Sequence, residues 1–154
     1  SMHRFFIRTS FTTIFKIKKM ENQKNNKGMN IGLWISQVVL GGMFIMAGLM
    51  KAGQSAEALA EALPWVTATP IALVKFIGIS ELLGGLGLIL PSLLRIKPSL
   101  TVLAAGGLVI VMVFAAIFHA TRGEFSAIGM NVVLAGLAAF IYWGRSNKAL
   151  IHAK

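Results

Sequence analysis

The sequence predicts an all-α integral membrane protein: a four-helix bundle that crosses the bilayer four times, with a short interfacial helix between spans 1 and 2. Composition is the first observation, since 56% of the 154 residues are hydrophobic, 13% are charged, and the mean hydropathy is +0.74. A water-soluble domain of this length needs a more polar outer surface. The second observation is that the apolar residues form four long runs, each close to the roughly 20 residues that cross about 30 Å of hydrocarbon.

The four spans are expected at residues 31–50, 71–90, 100–120 and 127–143. Pro70 and Pro91 are expected to close the second span at its two ends, because proline interrupts a helix. The connections 91–99 and 121–126 are short, so consecutive spans are expected to be antiparallel neighbours.

Between the first two spans, residues 55–63 form an alanine-rich stretch that ends at Pro64. Glu57 and Glu61 are one helical turn apart and therefore share a face. The stretch predicts a short interfacial helix whose carboxylates face water.

The distribution of basic residues predicts the orientation. Twelve Lys and Arg residues lie on the side of both termini and the second connection, and two, Lys51 and Arg122, lie on the other side. Both termini are therefore expected in the cytoplasm, with a bacterial cytoplasmic membrane as the expected location. Three parts follow: a basic, partly disordered N-terminal extension (residues 1–28), a four-span membrane domain (29–145) and a basic cytoplasmic tail (146–154).

The same basic flanks indicate partners. Because they surround apolar spans, they predict contact with anionic lipids of the inner leaflet and not with nucleic acid. Two interpretations of residues 2–19 stay open: an extension upstream of a second start at Met20, or an amphipathic helix on the inner leaflet. The chain has no cysteine, which excludes thiol–disulfide chemistry.

Small residues predict where the spans touch. Membrane helices pack closely where Gly and Ala let their backbones approach. Each span has such a patch, at residues 41–48, 78–87, 104–107 and 135–139.

Glu81 is the most unusual residue, because it lies ten residues into the second span, about 15 Å deep. A carboxylate there costs at least about 2.5 kcal/mol. Gly78, Gly84 and Gly85 share its helical face, so Glu81 is expected to point into the bundle, either protonated or held by a donor.

A second group of polar residues gathers at the outer ends of the spans. Its members are Lys51, His119, Arg122, Glu124 and Asn131. Short connections bring these ends together, so the group and Glu81 form the candidate polar site, with Glu81 expected one to two turns deeper than His119. The spacing does not match bundle metal sites, and no cofactor motif is evident.

Three segments of the chain resemble the DoxX-like family of small four-span membrane proteins: residues 76–91, residues 47–51 and residues 118–124. The resemblance covers residues 31–145. It implies a four-span membrane protein, some of whose relatives take part in quinone-linked oxidation of sulfur compounds or in handling quinones and catechols, while an animal relative is an assembly factor for receptor channels. The pattern includes Lys51, Glu81, His119, Arg122 and Glu124 without assigning their roles.

Two functions are kept as hypotheses, and whether the protein is an enzyme stays open. The first is binding of a quinone or similar lipophilic molecule within a membrane oxidoreductase system, with a redox partner protein or a homo-oligomer. There Glu81 or His119 would exchange protons, and Lys51 and Arg122 would hold the headgroup. The second is a non-enzymatic scaffold or assembly factor in which Glu81 fixes helix register.

Overall fold

The computed structural model describes the backbone from Met2 to Lys154 and the side chains from Lys27 onward. The elements are α1 (Met2–Gly53), α2 (Ala56–Ala62), a 3-10 helix (Pro64–Ala68), α3 (Ile71–Leu94), α4 (Ser99–Thr121) and α5 (Phe125–Asn147). The all-α fold is confirmed, and α2 is the short helix expected between spans 1 and 2. The basic N-terminal extension predicted for residues 1–28 lies largely before Lys27, outside the described side chains, and stays a prediction.

Four helices are long and apolar enough to cross a membrane: Lys27–Gly53 within α1, and all of α3, α4 and α5. Their outer surfaces carry large apolar side chains, such as Leu103, which is 70% exposed. Such surfaces are stable in hydrocarbon, so the protein is a multi-pass membrane protein.

The second span does not end at Pro91. Helix α3 continues through this proline to Leu94 and ends where Arg95 takes a left-handed conformation, with φ 58°. Proline removes one backbone donor but does not stop a helix that is packed on its neighbours.

The four spanning helices form a closed ring in which α1 packs on α3, α3 on α4, α4 on α5 and α5 on α1. Glycines bring α1 and α3 into backbone contact, as the small-residue patches predicted. A Cβ atom added at Gly48 would lie 2.6 Å from the carbonyl oxygen of Gly78, and one at Gly85 would lie 2.7 Å from that of Gly41. Other glycines of the patches, such as Gly42, have no atom within 4 Å of that position.

We define the outer end of the bundle as the end where α1 and α4 finish and α3 and α5 begin; its orientation in the cell stays a prediction. Helix α2 and the 3-10 helix cover this end. Leu59, Val66 and Val74 form their buried core. Lys75 also ties α3 to the end of α1, because its Nζ donates to the carbonyl oxygens of Ala52 and Gln54.

At the opposite, inner end lies a buried polar cluster, which we call the inner cluster: Asn30, Trp34, Gln37 and Arg145. Arg145 Nε donates to Gln37 Oε1 at 2.5 Å, and its Nη1 donates to Asn30 Oδ1 at 2.5 Å. Gln37 Nε2 in turn donates to the carbonyl oxygen of Leu88 at 2.6 Å. The guanidinium of Arg145 also lies 5.3 Å from the ring centre of Trp34. The cluster therefore ties α1, α3 and α5 together.

Candidate functional site

Glu81 lies inside the bundle on α3, where it is 4% exposed. This is the orientation that the flanking glycines predict. Its carboxylate oxygen Oε2 accepts a hydrogen bond from Lys51 Nζ at 2.6 Å, forming an ion pair between α3 and α1. The buried acid is thus held by a donor, one of the two states that the sequence allowed.

The helix contact explains how Lys51 reaches this acid. A Cβ atom at Gly78 would lie 2.6 Å from the Cβ of Lys51, so only glycine leaves room there for the lysine stem. Lys51 stands near the outer end of α1, and its long side chain runs inward to Glu81, less than one turn beyond Gly78. Both side chains are nearly buried, at 11% and 6% exposed.

A second ion cluster forms at the turn between α4 and α5. His119 Nδ1 lies 2.5 Å from Glu124 Oε2, and Arg122 Nε donates to Glu124 Oε1 at 2.8 Å. Gly123, with φ 70°, makes the tight turn that folds Glu124 back onto His119. The hydrogen bond from His119, and then that from Arg122, lower the pKa of Glu124 below its ordinary value.

The ionised carboxylate also sets the tautomer of His119. A carboxylate can only accept, so Nδ1 carries the proton that faces Glu124. In the neutral ring, Nε2 then has a free lone pair. Nε2 of His119 can therefore accept a hydrogen bond.

Two cavities, of about 430 and 540 Å³, meet at this polar group. The larger lies between α1 and α5, where its wall includes Met43 and Met130. The smaller lies between α3 and α4 and includes Phe76 and Phe114, which are 66% and 67% exposed on the lipid-facing surface. The smaller cavity therefore reaches the side of the bundle that faces lipid.

Seven residues line both cavities: Lys51, Leu63, Trp65, Glu81, Met112, His119 and Asn131. Four of them are polar residues on four different spanning helices: Lys51 on α1, Glu81 on α3, His119 on α4 and Asn131 on α5. The ring of helices thus directs one polar side chain from each span to a common space.

Asn131 differs from the other three. It is 9% exposed, and its Nδ2 is buried with no hydrogen-bond partner among the described residues. Native proteins rarely leave a buried amide unpaired, because the lost hydrogen bonds to water are not replaced.

The remaining predicted site residues stand farther from the shared space. Glu124 lines the larger cavity only, and Arg122 lines neither, since it pairs with Glu124 and lies over the ring of Phe118. Among residues 27–154, no hydrogen bond joins Glu81 to His119. Nor does this part of the chain bring together three or more His, Asp or Glu side chains that could hold a metal ion.

Trp65 is a site residue that the sequence interpretation missed. The 3-10 helix places its ring edge-on against Phe118 and His119, with ring centres 6.0 and 6.3 Å apart. The signal in the sequence is an indole directly after Pro64, the residue that ends the predicted interfacial helix. Trp65 and Leu63 line the shared space.

Comparison with known proteins gives one match. The family model described as the DoxX-like family matches residues 35–141, which include the second and third spans, most of the first and fourth, and every polar residue of the site. No curated protein and no solved structure matches the chain.

Proposed function

The chain belongs to the DoxX-like family, and we propose that it binds a quinone or a similar lipophilic molecule in the space shared by the two cavities. The observation that carries the proposal is the convergence of Lys51, Glu81, His119 and Asn131 on an otherwise apolar space beside the lipid. In this proposal the protein works within a membrane oxidoreductase system.

The shape of the site supports a ligand of this kind. Cavities of about 300–1,000 Å³, walled by apolar side chains with a few polar groups, are typical of small-molecule sites. Both cavities fall in this range. Phe76 and Phe114 at the lipid-facing side give an apolar tail a route into the bilayer while the polar headgroup stays inside.

The Lys51–Glu81 pair supports binding of an oxygen-bearing headgroup. An ammonium group has three donors, and Glu81 uses one of them. The carboxylate has a second oxygen, Oε1, with the capacity to accept from a ligand hydroxyl. The pair can therefore hold either a carbonyl oxygen or a hydroxyl, the two forms that a quinone oxygen takes.

The His119–Glu124 pair supplies the proton exchange in this proposal. A quinone, when bound, supplies reversible uptake of two electrons and two protons. On oxidation of the reduced form, one hydroxyl proton would pass to His119 Nε2, whose charged ring Glu124 stabilises, and the other would pass to Glu81 Oε1. The electrons would pass to a redox partner protein.

Ligand binding can be tested directly on the purified protein in lipid nanodiscs. We expect decylubiquinone to bind, and the Glu81→Gln substitution to weaken its binding about tenfold, since a charged hydrogen-bonding group is lost from the pocket. The matched control is Glu61→Gln, on the solvent-facing side of α2, which should bind like the unchanged protein. Equal affinity in the Glu81→Gln and unchanged proteins, measured by equilibrium dialysis, would contradict the proposal.

One observation favours the alternative, a non-enzymatic scaffold. The Lys51–Glu81 pair lies at the glycine contact between α1 and α3, where an ion pair can fix helix register. A scaffold would retain a stoichiometric partner protein in pull-downs, lose it on Glu81→Gln substitution, and bind no quinone.

A further inference from the structure

The side-chain amide of Asn131 lacks a hydrogen-bond partner in the part of the chain whose side chains are described. The side chain is nine-tenths buried, its Nδ2 has no hydrogen-bond partner among residues 27–154, and the residue lines both cavities. Rotation of the terminal amide exchanges Nδ2 and Oδ1 at little cost, so Nδ2 can turn toward the shared space.

The position of Asn131 in the ring decides which part of a ligand it meets. Helix α5 contacts α4 and α1, whereas α3 contacts α1 and α4, so α3 and α5 lie diagonally across the bundle. Glu81 on α3 and Asn131 on α5 therefore approach the shared space from different sides. If a ligand had a single oxygen atom and the Lys51–Glu81 pair held it, the Asn131 amide would still lack a hydrogen-bond partner.

We infer that Asn131 determines ligand specificity by donating a hydrogen bond to a second ligand oxygen, so that the site selects rings with two oxygens over rings with one. The inference rests on the proposed function and adds the substrate class, a ring with two carbonyl or hydroxyl oxygens. The Lys51–Glu81 pair holds one oxygen, and Asn131 holds the other.

The burial of the unpaired amide separates this role from a structural one. A polar residue kept for stability contributes hydrogen bonds to the empty protein. Asn131 leaves a buried donor unpaired, so an apolar side chain of similar size should be tolerated or should stabilise the empty protein. Stability and ligand selection should therefore change in opposite directions on substitution.

The test uses Asn131→Leu in nanodiscs with two probes, decylubiquinone and a decyl-substituted phenol that carries one ring oxygen. We expect the unchanged protein to bind the quinone about tenfold more tightly than the phenol. We expect Asn131→Leu to lose this preference while its thermal unfolding midpoint stays equal or rises. Val132→Leu is the matched control, because this neighbour is 60% exposed and lines neither cavity, and it should keep the preference.

The outcomes distinguish failure of the proposed ligand binding from failure of the role assigned to Asn131. If the unchanged protein binds neither probe, the proposed function fails and this inference fails with it. If the protein binds quinone but Asn131→Leu keeps the full preference, or if Asn131→Leu lowers the unfolding midpoint and binds both probes normally, the role of Asn131 alone is overturned. Asn131→Gln, which retains an amide, should preserve a larger part of the preference than Asn131→Leu.

Discussion

The described part of the bundle has a buried polar cluster centred on Arg145 at its inner end and another at its outer end, and the two are built differently. The inner cluster, centred on Arg145, borders neither of the two cavities, and its guanidinium makes three hydrogen bonds and stacks on Trp34. The outer cluster, which comprises Lys51, Glu81, His119 and Asn131, surrounds the space shared by both cavities. Within residues 27–154, one nitrogen in each cluster has no hydrogen-bond partner, Arg145 Nη2 and Asn131 Nδ2.

This difference shows how burial alone misleads. A buried polar side chain in a membrane bundle usually marks either helix association or function. At the inner end most of the polar groups hydrogen-bond to one another or to the backbone, and they link three helices. At the outer end they border space that the protein does not fill, which is the arrangement that a ligand requires.

Arg145→Leu should give the largest effect on stability. The substitution removes the two hydrogen bonds that Arg145 donates to Gln37 Oε1 and Asn30 Oδ1. Breaking a buried charged network of this kind costs about 3–5 kcal/mol. The free energy of unfolding in detergent, measured by dodecyl sulfate titration, should fall by that amount, while decylubiquinone affinity of the folded protein stays unchanged. Lys148→Leu is the control, because Lys148 is an exposed basic residue on the same end of the chain and its Nζ lies over the ring of Trp143. Loss of binding with full stability would reverse the roles assigned to the two ends.

Gly48→Ala should give the next largest effect, because it separates α1 from α3 beside the Lys51–Glu81 pair. The added Cβ would lie 2.5 Å from the backbone nitrogen of Leu82, and such overpacking costs about 1–3 kcal/mol. The matched control is Gly42→Ala on the same helix, where nothing lies within 4 Å. The same unfolding titration should show a loss for the first variant and none for the second; equal behaviour would mean that the glycine contact does not position the site.

Replacing the whole outer ion pair should have little effect on stability. Buried ion pairs exchanged for apolar residues of similar size are often neutral, so Lys51→Met with Glu81→Leu should stay within about 1 kcal/mol of the unchanged protein. Lys51→Met alone should cost more, because it leaves the Glu81 carboxylate buried without its donor. Quinone binding should be lost in both. A large loss of stability in the double variant would favour the scaffold function.

The smallest effect concerns pH and the turn between α4 and α5. Because the pKa of Glu124 is lowered in the folded protein by His119 and Arg122, its contribution to stability is present above the ordinary glutamate range. That contribution is lost as the pH falls through the lowered pKa. The protection factors of the amide hydrogens in residues 119–128, which are corrected for the slower intrinsic exchange in acid, should therefore fall on acidification.

The comparison variant is Glu124→Gln, which should lack this part of the pH dependence. It separates Glu124 from Glu57, whose pKa is also lowered, chiefly by a backbone hydrogen bond. Identical pH profiles for the turn in the unchanged protein and in Glu124→Gln would show that the Glu124 cluster contributes nothing to the pH dependence of stability there.

The sequence predicts the fold because hydrocarbon strongly constrains which segments can cross it. The four apolar runs, the short connections and the basic side can be identified without knowing which helices contact each other. It also predicts the direction of Glu81, because neighbouring glycines mark the packed face. It does not predict that Lys51 is the partner of Glu81. These residues are on different helices, and the rotation of each helix depends on contacts such as Gly48 with Gly78.

Arg145 shows the same limit more clearly. At the end of a span, next to Trp143, its position suggests an ordinary basic flank. The signal was Gln37, a polar residue inside the first span that needed a partner. Only the packing of α1 against α5 identifies Arg145 as that partner. Pairings between distant helices therefore lie beyond what periodicity and composition reveal.

The most direct test of the central claim is photolabelling in nanodiscs with an azido-quinone, followed by mass spectrometry of the labelled peptides. We expect labels on the walls of the two cavities, at residues such as Phe76, Phe114 and Met130, and we expect excess decylubiquinone or Glu81→Gln substitution to suppress them. Labels spread evenly over lipid-facing residues such as Leu103, insensitive to both treatments, would contradict a ligand site at the outer end.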